Sequence, residues 1–124
     1  MNEEPAERLN YDVPEDAAAI GMVQDADTAF IFGFKTRREV FVAPGFMAIP
    51  LGNETLNLTA KTACDMLEQQ AILRGMTITP EEISENLPEN APGNKEQKER
   101  AAAIVITAVR QAVANYAQTK KEQS

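Results

Sequence analysis

The residues best suited to chemistry in this sequence are a basic trio, Lys35, Arg37 and Arg38, at the tip of a predicted hairpin. Guanidinium forks match the geometry of phosphates and carboxylates. Together with Arg74 the trio forms the candidate site for an anionic, nucleotide-like ligand, with Phe41 or Phe46 available to stack on a base. A solvated hairpin loop accounts for the same residues without any ligand. The carboxylates Glu81, Glu82 and Glu85 invite metal or acid–base roles, but they follow Thr79-Pro80 at a helix start. Negative charge there complements the helix dipole and needs no further chemistry. Asp25 and Asp27 lack the companion oxygen ligands that a cation requires.

Other chemistry is poorly provided for. The chain has no histidine, which removes the commonest general base and the usual partner of a serine or cysteine nucleophile. Its one cysteine, Cys64, cannot close an internal disulfide and reads as a small core residue on a helix face. The glycines at 21, 33, 45, 52, 75 and 93 are scattered as turn and cap residues are, and form no phosphate loop. No catalytic residue, metal-ligand set or cofactor motif is assigned.

The elements that must position these residues follow from periodicity. All five phenylalanines lie between residues 30 and 46. Phe30, Phe32 and Phe34 alternate with Ala29, Ile31 and Gly33, the period of a strand. Glu39 to Ala43 returns as a second strand, Pro44-Gly45 suits a type II turn, and Phe46 to Leu51 makes a third, placed at an edge by Pro50. The result is a three-stranded antiparallel meander over about 28–51. A helix over about 59–74 follows, capped by Asn57 or Thr59 and stopped by Gly75. Thr79-Pro80-Glu81-Glu82 opens a short helix over about 80–86 with a capping box, and Asn94 caps a last helix over about 95–119. Residues 14–21 suit a short helical turn. The fold class is α+β: a disordered acidic arm over residues 1–14 and one domain over 15–124.

The last helix is apolar nearly all the way round between Arg100 and Arg110. Such a helix must be covered on most sides, and a chain of 124 residues has little to cover it with. Ala101, Ile104, Val105, Ala108, Val109, Ala112 and Tyr116 are therefore the candidate interface of a homo-oligomer.

Charge bounds the partners. The net charge is −7, and residues 1–27 alone hold eight acids and one base. That balance repels a nucleic-acid backbone and favours a protein with a basic surface. The longest apolar run is too short to span a membrane, and the acidic start Met1-Asn-Glu-Glu-Pro5 is unlike a signal peptide, which predicts a cytoplasmic location. The expected function is a small non-enzymatic binding or regulatory protein, acting through protein–protein contacts. Accessory factors and inhibitors that occupy basic surfaces, phage-encoded ones among them, are the class analogy. The alternative is a binder of an anionic ligand at a subunit junction.

Overall fold

The computed structural model of the chain describes residues 11–123. Three antiparallel strands form a meander in the order β1-β2-β3: β1 (Ala19–Asp25), β2 (Thr28–Arg37) and β3 (Val40–Ile49). Four helices follow: α1 (Glu54–Leu67), α2 (Arg74–Thr77), α3 (Pro80–Asn86) and α4 (Lys95–Gln123). The fold is α+β as the sequence predicts, but the strands are assembled from different residues.

The expected helical turn before residue 21 is part of β1. Its inward side chains, Ala19, Gly21 and Val23, pair with Phe34, Phe32 and Phe30 and face α4. Two of the three are among the smallest residues, so no hydrophobic alternation marks the strand. At Pro44-Gly45 the chain does not turn back. It runs on as one strand, bent where the register with β2 shifts between Gly33 and Lys35, with Ala43 at φ 51°. The two strands expected on either side of Pro44-Gly45 are therefore the two halves of β3.

Helix α1 starts earlier than predicted. The Asn53 side chain accepts from the Leu56 amide, whereas Asn57 donates to the Leu51 carbonyl and Thr59 bonds back to the Thr55 carbonyl within the helix. The helix also ends at Leu67, well before Gly75. Residues 69–72 leave it to hydrogen-bond the outer edge of β3: the Phe41 amide donates to the Gln70 carbonyl, and the Gln69 and Ile72 amides donate to the carbonyls of Phe41 and Glu39. Gly75 instead gives room for Val113 and Phe41, whose side chains a Cβ there would meet within 3.0 Å. The caps of the last two helices are as predicted. Thr79 and Glu82 exchange capping-box bonds, and Asn94 and Gln97 do the same at the start of α4.

The helices lie on one face of the sheet. Phe30, Phe32, Phe34 and Phe41 interlock with Leu56, Ala60, Cys64 and Leu67 of α1 and with Val105, Val109 and Val113 of α4, all buried. Cys64 has no exposed surface. Helix α4 touches β1, β2, α1, α2 and α3, so its charge-free stretch is covered from several directions by its own chain. Only a stripe through Ala103, Thr107, Arg110 and Gln111 reaches solvent.

The tightest contact is between α4 and β1. A Cβ on Gly21 would overlap the Ala108 carbonyl oxygen and lie 2.7 Å from the Ala112 nitrogen. Both are backbone atoms held in a helix and cannot move aside cheaply. Gly21→Ala is expected to lower the free energy of unfolding by about 2 kcal/mol or more, measured by urea denaturation. Gly52→Ala, where a Cβ meets nothing within 4 Å, should change it by less than about 0.5 kcal/mol.

Candidate functional site

With both main helices on one side, the other face of the sheet is left to the side chains that alternate outward. By register these are Ile20–Gly33–Gly45, Met22–Ile31–Met47 and Gln24–Ala29–Ile49, three rows each running across three strands. A sheet wetted on one face normally carries polar residues there. Here the rows are apolar and, apart from Gln24, carry no polar side chain. Met22 is 53% exposed, Met47 50%, Ile49 48% and Ile20 44%, and Leu51 beyond the end of β3 is 75% exposed.

One end of this face is occupied by the chain itself. Residues 11–18 form a strap that crosses from the β3 edge to β1. The Tyr11 carbonyl accepts from the Phe46 amide at 2.7 Å, its ring packs on Phe46, and its hydroxyl donates to Asp65 of α1 at 2.8 Å. The backbone at Asp12 then passes directly over Gly45, and Val13 lies over Gly33. A side chain at either glycine would collide with the strap, which is why that row alone lacks side chains at two of its three positions. The Ala18 amide finally donates to the Phe34 carbonyl at 2.7 Å and leads into β1. Of the arm expected to be disordered, residues 1–10 lie outside the described residues, while Tyr11 to Pro14 are packed in this strap.

Beyond the strap an apolar strip remains, about 13 Å along the strands and about 14 Å across them at ordinary strand spacings. Acids border it: Asp12, Glu15 and Asp16 in the strap, Asp27 at the β1–β2 turn, and Glu54 at the start of α1. Lys35 is paired with Asp16 at 3.4 Å.

The sheet edges are closed. Along β1, α4 supplies Gln111, whose side-chain carbonyl accepts from the Met22 amide, and Asn115, which donates to the Ile20 carbonyl. Along β3, residues 69–72 and Tyr11 take the outward backbone groups. An added strand would find these groups taken, so what the sheet offers a partner is its face.

The residues predicted for an anion site are dispersed in their roles. Lys35 faces Asp16, and Arg74 makes a two-pronged pair with Glu82, at 2.7 and 3.2 Å. Arg37 and Arg38 are exposed and make no ion pair or hydrogen bond among the described residues. Arg38 and Glu39 form the β2–β3 turn with φ of 57° and 63°, the left-handed values a tight hairpin requires. Neither is glycine, and each costs roughly 1 kcal/mol or more in that conformation. Glu39 holds the turn: its carbonyl accepts from the Ile72 amide and its carboxylate from the Tyr116 hydroxyl and the Lys120 ammonium. Asp25 is paired with Arg100 at 2.9 Å. Glu82 serves its helix cap and Arg74, while Glu81 and Glu85 are exposed.

The predicted oligomer interface needs correction. Ala101, Ile104, Val105, Ala108, Val109 and Ala112 are all at most 7% exposed within a single chain. They contact the chain's own sheet and helices and present nothing to a second copy. Tyr116 packs edge-on against Phe34 and is half-buried. The inventory of covering elements fell short because it omitted β1, the strand α4 sits on. The outer-face rows were legible only in part, as the alternate positions of the Phe30/Phe32/Phe34 strand.

No protein-family model matches the chain, and no curated protein is similar to it in sequence.

The two clamps make a pH prediction. Hydrogen bonding from Lys120, then from Tyr116, holds the Glu39 carboxyl below the usual glutamate range, and Arg74 does the same for Glu82. Lys120 is raised in turn by Glu39. A lowered acid stabilises the fold above its unfolded pKa and loses that contribution as pH falls through the folded one; a raised lysine loses its contribution as pH rises. The Glu39–Lys120 clamp is thus complete between the acid and alkaline extremes. Carboxyl NMR titration should find both glutamates titrating low, and Lys120→Met should return Glu39 most of the way while leaving Glu82 unmoved. A Glu39 midpoint in the ordinary range would show that the clamp does not form in solution.

Proposed function

We propose that this chain is a small non-enzymatic binding protein, acting in the cytoplasm, that docks the outer face of its sheet onto another protein. The observation that supports this reading is the apolar strip around Met22, Ile31, Met47 and Ile49 on a sheet whose edges are already closed. Apolar patches framed by polar residues mark interaction surfaces. A soluble chain that could have placed lysine or threonine at these positions gains nothing for its own fold from methionine.

The chemistry available elsewhere is consistent with binding rather than catalysis. The chain lacks histidine, and the carboxylates at 25, 39 and 82 are engaged in structural pairs. Among the described residues, no helix is long and apolar enough to cross a membrane. Self-association, if it occurs, then rests on the sheet face, because the α4 face is filled by its own chain.

Replacing both methionines tests this. Met22→Lys/Met47→Lys is expected to leave stability within about 0.5 kcal/mol of wild type, as for ordinary surface positions. Affinity capture compared quantitatively between wild type and this variant should show the specific partner lost. If the variant instead unfolds as a core mutant does, or retains the same partners, the face is not a docking surface.

A further inference from the structure

Resting on that docking reading, we propose that the occupant of the outer face is a basic amphipathic helix of a partner protein. Three observations select it. The first is backbone bonding. An extended peptide gains affinity by completing a ladder at a sheet edge, and here Gln111, Asn115, Tyr11 and residues 69–72 have taken the edge groups. A partner must therefore satisfy its own backbone and offer an apolar stripe, which is what a helix does.

The second is size. The strip between the strap and the β1–β2 turn is about 13 Å long, and a helix with its side chains is about 10–12 Å wide. The flexible thioethers of Met22 and Met47 sit in the central row and can adapt to the side chains of such a helix.

The third is charge. The strip itself is uncharged, while Asp12, Glu15 and Asp16 stand at one end, Asp27 at the other and Glu54 at the side, with Lys35 the one base among them. A helix flanked by lysine or arginine gains at both ends, and an acidic one is repelled. The same rim disfavours a second copy. In any face-to-face pairing of two sheets, each acidic strap meets either the partner's strap or its Asp27 end, and like charges oppose in both cases.

The test uses the full chain and a fluorescein-labelled helical peptide of about 18 residues, leucine at helical spacing and lysine elsewhere, beside its leucine/glutamate counterpart. Anisotropy titration should show micromolar binding of the lysine peptide, weakening with added salt, and none of the glutamate peptide. The neutral pair Met22→Gln/Met47→Gln should weaken binding at least about tenfold, roughly 1.4 kcal/mol, without the charge repulsion that lysine substitutions would add. Asp12→Asn/Asp16→Asn/Asp27→Asn should weaken it severalfold and flatten the salt dependence, with an unchanged melting temperature confirming the fold. Equal binding of both peptides would overturn the basic-helix assignment, as would a dimer by light scattering that the methionine changes dissociate, while the docking face itself would survive. Methionine changes that alter neither peptide binding nor self-association would overturn both.

Discussion

The structure depends on how closely α4 lies against β1. The helix backbone at Ala108 and Ala112 fills the space where a side chain at position 21 would stand, so helix and strand meet with almost nothing between them. Small residues on the helix allow this: Ala101, Ala108 and Ala112 are buried at the contact layer, while Val105 and Val109 reach on to the phenylalanines of the sheet. The same proximity lets Gln111 and Asn115 reach over to the free edge of β1. One close approach thus orders the core and protects the edge.

Two further glycines produce the opposite face. Gly33 and Gly45 are adjacent across β2 and β3, and the strap passes over both. The strap joins the two edges of the meander, anchored through Tyr11 to β3 and α1 and through Ala18 to β2. It covers only one end of the outer face. The remaining strip follows from the chain length available: both large helices are committed to the inner face, and no third layer exists among the described residues.

Local chemistry was the legible part of this fold. The capping boxes at Thr79 and Asn94 and the phenylalanine alternation in β2 involve residues within a few positions of each other, and each predicts its element correctly. What escaped prediction depends on distant partners. Strand β1 has no alternating signal because its inner positions are small to admit α4, ninety residues away in sequence, roughly the separation of Met22 from Gln111. Helix α1 stops at Leu67 without glycine or proline because the β3 edge draws residues 69–72 away. The candidate site was obscured for the same reason. Without β1, Met22 has no sheet to lie on, the outer face has two strands, and the apolar helix lacks its natural cover. The excess of apolar surface was read correctly, but assigned to the helix instead of the sheet.

Cys64 gives this architecture a built-in reporter. It is the chain's sole thiol, and it sits at zero exposure on the face of α1 turned to the phenylalanines. A labelling reagent reaches it only when that helix parts from the sheet, so its rate of modification measures how often the core opens. Modification at the outer strip, or movement of the strap over its two glycines, leaves this thiol silent. Nature has thereby separated the surface through which the molecule is read as meeting others from the one position that records whether it is folded.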